Sequence, residues 1–124
     1  MIKSRSKIFT ILFRHEKQSI RIDYLLSNDK MFISFSNDEI KFIHKVIFGI
    51  LRHKTKLDYY ISKYYDGNSK KLIIKHKIIL RIGLYQLLFM DSIPDYAVVN
   101  TTVDLCKNHI VFGHNLVNAL MRKF

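Results

Sequence analysis

A single cysteine, Cys106, leaves this chain without a partner for an intramolecular disulfide, and one proline and four glycines give it few places to break regular structure. Its start lacks the charged, apolar and small-residue succession of a secretory signal, so the expected location is the cytoplasm. Long apolar runs are also missing. The most apolar stretch, 72–90, carries Lys75, His76, Lys77, Arg81 and Gln86, which would be costly in hydrocarbon, so no membrane partner is expected. No internal repeat or low-complexity tract is found. Acidic residues are scarce: ten Asp and Glu stand against 21 Lys and Arg, a net charge of +11. The surface must therefore carry a positive potential that suits a polyanion. Nucleic acid gains most from it, because neutralised phosphates release condensed counterions, although an anionic membrane or an acidic protein would feel the same field.

What is present is apolar surface. With 48% hydrophobic residues, nine Phe and seven Tyr among 124, the chain can bury one real core as a single domain, residues 1–124, without disulfide or metal. The apolar positions recur at helical spacing, which predicts an all-α bundle. Ile8, Ile11 and Leu12 form the stripe of a first helix, and a short second segment carries Ile20, Ile22, Leu25 and Leu26 before the polar Ser27–Lys30. Ser36-Asn37-Asp38-Glu39 is a capping box that starts a helix, with Ile40, Ile43, Ile47, Ile50 and Leu51 inward. Lys41, Lys45, Phe48 and Arg52 share another face of it at four-three-four spacing. Thr55 is expected to cap the next helix, and Asp66-Gly67-Asn68-Ser69 supplies a turn. From Lys70 to Met90 the chain is apolar nearly all round, as a central helix must be. Gly83 within it costs about 1 kcal/mol relative to Ala, which implies that another helix crosses closely there. Pro94 ends this helix, and two more follow, on Val98, Val99, Val103 and Leu105 and on Leu116, Val117, Leu120 and Met121.

Ile79-Leu80-Arg81-Ile82-Gly83-Leu84-Tyr85-Gln86-Leu87-Leu88-Phe89-Met90-Asp91, then Ile93-Pro94, then Ala97-Val98-Val99-Asn100-Thr101-Thr102-Val103-Asp104-Leu105, strongly resembles the signature of the NusB/RsmB family. Leu116-Val117-Asn118-Ala119-Leu120-Met121-Arg122-Lys123 is similar to its closing helix, and Phe48-Gly49-Ile50-Leu51-Arg52 with Leu57-Asp58 to its middle. The resemblance implies a compact bundle of about six to seven helices. It also implies RNA as partner, in one of two settings. One branch comprises antitermination factors that, together with a small-subunit ribosomal protein, bind a short RNA element in nascent transcripts. The other is the N-terminal domain of enzymes that methylate a 16S rRNA cytosine at C5, and Gly49-Ile50-Leu51-Arg52 and Gly83-Leu84-Tyr85-Gln86-Leu87-Leu88 lie closer to it. Those enzymes need a glycine-rich cofactor loop and attacking cysteines, and neither occurs in this sequence. The expected function is thus RNA binding in antitermination or ribosomal RNA biogenesis, without catalysis or cofactor. The alternatives are the substrate-recognition domain of such a methyltransferase lacking its catalytic domain, or a module docking a small-subunit ribosomal protein.

Lys3, Arg5, Lys7 and Arg14 occupy the place of the arginine-rich RNA-contacting segment that the family resemblance implies. Lys in place of Arg gives fewer bidentate phosphate contacts and weaker stacking, so binding should be weaker or less selective. The competing reading is a solvated basic terminus. Lys41, Lys45, Arg52 and Lys54 complete the candidate RNA-binding set. Between Arg52 and Arg81 the acids are Asp58 and Asp66, and Tyr59, Tyr60, Tyr64 and Tyr65 are interspersed; such tyrosines either stack on bases or pack half-buried. Phe48 is open to the same two readings. His15, His44, His53, His76, His109 and His114 lack the paired spacings of a zinc site, so no metal is expected. Cys106 is read as a small core residue rather than an activated thiol. No catalytic constellation stands out. Asn100 and Asn118, set in apolar helices, are expected to hydrogen-bond between or along helices.

Overall fold

The computed structural model describes residues 2–27, 29–65 and 72–124. Among the described residues seven α-helices succeed one another: α1 Ile2–Gln18, α2 Ile22–Ser27, α3 Asn37–Arg52, α4 Lys54–Tyr64, α5 Ile74–Phe89, α6 Asp95–His109 and α7 His114–Lys123. A single 3-10 turn, Asp29–Phe32, lies between α2 and α3, and no strand occurs among the described residues. The all-α expectation and the count of helices hold.

α5 is the axis. It packs against α1, α3, α4, α6 and α7, which is why every residue from Ile78 to Gln86 is buried and why its apolar residues show no preferred side. Its described start is Ile74, later than the expected Lys70, and the expected turn at Asp66–Ser69 lies outside the described residues. At Gly83 two neighbouring helices approach closely. A Cβ there would sit 2.6 Å from Met121 Cε on α7 and 2.7 Å from Thr102 Oγ1 on α6. Gly83→Ala is expected to cost about 1–2 kcal/mol, because the crowding exceeds the ~1 kcal/mol gained in helix propensity. Thermal melting should show a fall of roughly 4–8 °C; an unchanged or higher midpoint would contradict the close crossing.

Local chemistry sets the start of α3. Glu39 N–H donates to Ser36 Oγ at 3.1 Å and Ser36 N–H to Glu39 Oε1 at 2.9 Å, the reciprocal capping box that the sequence announces. The hydrogen bond from the Ser36 backbone holds the Glu39 carboxyl below its ordinary range. Thr55, in contrast, caps nothing. The last turn of α3 runs into α4 through His53, which ends one helix and begins the other, so Thr55 already lies inside α4. At the other junction Pro94 behaves as expected: its carbonyl accepts from Ala97 and Val98, opening α6. Gly113 takes a left-handed φ of 90° before α7, and its His76-facing side leaves no room for a Cβ.

Candidate nucleic-acid interface

The helical phase of α1 decides which of its cations reach solvent. Ile8, Phe9, Ile11 and Leu12 are buried, and one turn earlier the same face carries Ser4 and Arg5. Arg5 is only 4% exposed, which corrects its expected place among the RNA contacts. Its Nε and Nη2 donate to Gln86 Oε1 at 2.9 and 2.6 Å, and its guanidinium lies 4.8 Å from the centre of the Phe42 ring. Burial lowers its pKa from the ordinary value. The Gln86 amide is oriented in turn by donating from Nε2 to the Ile82 carbonyl at 3.0 Å. Arg5 thus pins α1 to α5.

Lys3 is exposed, and Lys7 and Arg14 are partly so. Lys3 Nζ donates to the Ser34 carbonyl at 2.8 Å and lies 4.7 Å from the Phe35 ring centre. Together with Ser6, Thr10, Ser34 and Phe35, Lys3 and Lys7 line an open groove of about 440 Å³. On the outward face of α3, Lys41, Lys45 and Arg52 are all exposed and Phe48 is 49% exposed. Among the described residues Lys7, Arg14, Lys41, Lys45 and Arg52 are paired with no carboxylate. Lys54 differs, since its Nζ is 3.4 Å from Glu16 Oε1.

Glu16 belongs to a network whose members sequence reasoning did not single out for this role. Arg81, buried in α5, donates to Glu16 Oε2 at 3.0 Å and bidentately to Asp58 at 2.7 and 3.1 Å, tying α1, α4 and α5 together. Partners so distant in sequence leave no local signal; the one available clue is a charged residue inside an otherwise apolar run. The cavity beside Arg81, lined also by Leu12, His15 and Ile50, measures about 80 Å³. Small-molecule sites begin near 300 Å³, so it does not define a substrate pocket.

The remaining candidates divide cleanly. Tyr60, Tyr64 and Tyr65 are half-buried, whereas Tyr59 is 60% exposed. Cys106 is fully buried, and burial pushes its thiol pKa up, as a core residue's should be. Asn118 accepts from Arg122 Nε one turn on, at 3.3 Å, an along-helix bond. Asn100 departs from expectation: it is exposed, with no side-chain partner among the described residues. Two residues after the buried Val98, it has rotated about 200° around α6, away from the core. No group of three His, Cys, Asp or Glu gathers among the described residues, and no helix there is long and apolar enough to cross a membrane.

Fold and surface together describe a helical bundle most of whose candidate RNA-binding cations lie along the outer faces of α1 and α3 rather than in a pocket. The NusB family profile matches residues 2–124, and the chain belongs to that family. A "probable ribosomal RNA small subunit methyltransferase B" of Synechocystis is 29% identical over 125 residues, covering 100% of this chain and 28% of that protein. This chain therefore spans little more than a quarter of that relative's length. Transcription antitermination protein NusB of Agathobacter rectalis is 28% identical, with 98% of this chain and 96% of that protein covered. The solved structure of T. maritima NusB superposes with a TM-score of 0.86 at 21% identity, covering 98% of this chain and 87% of that one, which supports the fold.

Proposed function

We propose that this domain binds single-stranded or loop RNA through the exposed cations of α1 and α3, acting in the cytoplasm in transcription antitermination or ribosomal RNA biogenesis without catalysis of its own. The observation that carries the reading is the pair of outward faces, Lys3 and Lys7 on α1 and Lys41, Lys45 and Arg52 on α3, in a NusB-family chain of net charge +11. Lys54, held by Glu16, contributes less, and Arg5 drops out of the set. The match to a methyltransferase over 28% of its length favours one second reading, in which the domain serves as the RNA-recognition part of such an enzyme. Docking of a small-subunit ribosomal protein adds to either reading.

The test is RNA affinity against salt. Binding should weaken steeply, because each phosphate contact on a single strand contributes about 0.7 to the log-log slope. Lys3→Gln with Lys7→Gln should flatten that slope by roughly 1.4 while leaving the melting temperature nearly unchanged, since the Lys3 contacts to Ser34 and Phe35 are exposed. A flat wild-type curve would remove the RNA reading.

A further inference from the structure

On α3, Phe48 stands among Lys41, Lys45 and Arg52, seven, three and four residues away, so all four side chains leave the helix on one side. A phenylalanine left 49% exposed within a field of cations lacking carboxylate partners among the described residues is a poor packing residue. A lone exposed aromatic is ordinary; Phe48 is touched by another ring, has cations around it, and heads a row of rings that leads to the groove at Lys3. The imidazole of His44, one turn back, meets it edge-on with centroids 6.4 Å apart at 82°. His44 is held likewise by Phe32 at 6.0 Å, and Phe32 by Phe35 at 6.3 Å. This aromatic row runs from Phe48 to the groove where Lys3 lies against Phe35. The two basic faces are therefore joined by a row of rings in edge contact.

We infer that Phe48 is a base-stacking platform, and that the outer face of α3 takes one unpaired nucleobase on the Phe48 ring with the flanking phosphates on Lys41, Lys45 and Arg52. The inference rests on the RNA reading above and goes beyond it. Cations alone hold a duplex as readily as a single strand, whereas an exposed ring selects a strand whose bases are free to leave the stack. Charge complementarity fixes the occupant as a polyanion, and the ring fixes it as one carrying aromatic bases.

The chain contains no tryptophan, so Phe48→Trp installs a single indole fluorophore at the proposed contact. With a short oligouridylate as probe, emission of the introduced indole should be quenched on binding and affinity retained, while an RNA duplex of equal length should bind with little quenching. Phe48→Ala should weaken oligouridylate binding about five- to a hundredfold, the range of one aromatic–base stack, with the salt slope unchanged. Phe48→Leu, apolar without a π-face, should behave like Phe48→Ala. Changing Lys41, Lys45 and Arg52 together to Gln should instead lower the slope by roughly two. Full affinity in Phe48→Ala, or an unquenched indole in Phe48→Trp at saturating oligouridylate, overturns the stacking platform but leaves salt-dependent RNA binding standing. Absence of oligouridylate and duplex binding by the wild-type chain at low salt removes both.

Discussion

Replacing Asp58 and Glu16 together by alanine is expected to cost the fold about 3–5 kcal/mol, the penalty for stranding a buried charge. The Arg81 side chain is 7% exposed, and three of its nitrogens donate to these two carboxylates at 2.7–3.1 Å. With both acids gone the guanidinium remains between α1, α4 and α5 with no carboxylate to balance its charge. The midpoint of thermal unfolding should fall by roughly 10–20 °C.

The reverse substitution separates mechanism from mere contact loss. Arg81→Met removes the buried charge and keeps an unbranched chain of similar reach, while Asp58 and Glu16, 41% and 27% exposed, can turn to solvent. Its cost should stay near 1 kcal/mol, since an ion pair replaced by apolar packing is often nearly neutral. Equal destabilisation by the two changes would mean that the network acts through packing and not through charge.

How far the sequence discloses this protein depends on the range of the interaction concerned. The capping box of α3, its inward Ile43, Ile47 and Ile50, and the close crossing at Gly83 are legible because each follows from residues within a turn or two. Thr55 fails for the complementary reason: a favourable cap residue does not make a helix start where the chain passes from α3 to α4 through His53 alone. Asn100 reads as a core position from its apolar neighbours, Val98 and Val99, whereas helical phase turns it outward. Half of the candidate surface is legible as well, since Lys41, Lys45, Phe48 and Arg52 share a face by spacing alone. What the spacing cannot say is which aromatics are exposed. Phe48 is, whereas Tyr60, Tyr64 and Tyr65 are half-buried, because burial is decided by the helix that arrives from elsewhere.

Arg5 is the sharpest case, and it leads to a second large effect. Near the start of a basic helix an arginine reads as surface, and the residue that draws it inward, Gln86, lies 81 positions away. Gln86→Leu keeps the volume but removes the acceptor of two guanidinium donors, each charged hydrogen bond contributing about 1.5–3 kcal/mol. A loss of roughly 2–4 kcal/mol is expected, read by denaturant unfolding. Gln86→Glu retains the acceptor and adds the opposite charge but gives up the donor to the Ile82 carbonyl, so its loss should be smaller than that of Gln86→Leu. Arg5→Met then separates the structural role from the RNA role that the sequence suggests. If the residue only anchors α1, this variant should melt earlier yet keep the salt slope of RNA binding, the opposite of Lys3→Gln with Lys7→Gln. A lowered slope at unchanged stability would instead place the Arg5 guanidinium on phosphate, and its burial against Gln86 would belong to the RNA-free state alone.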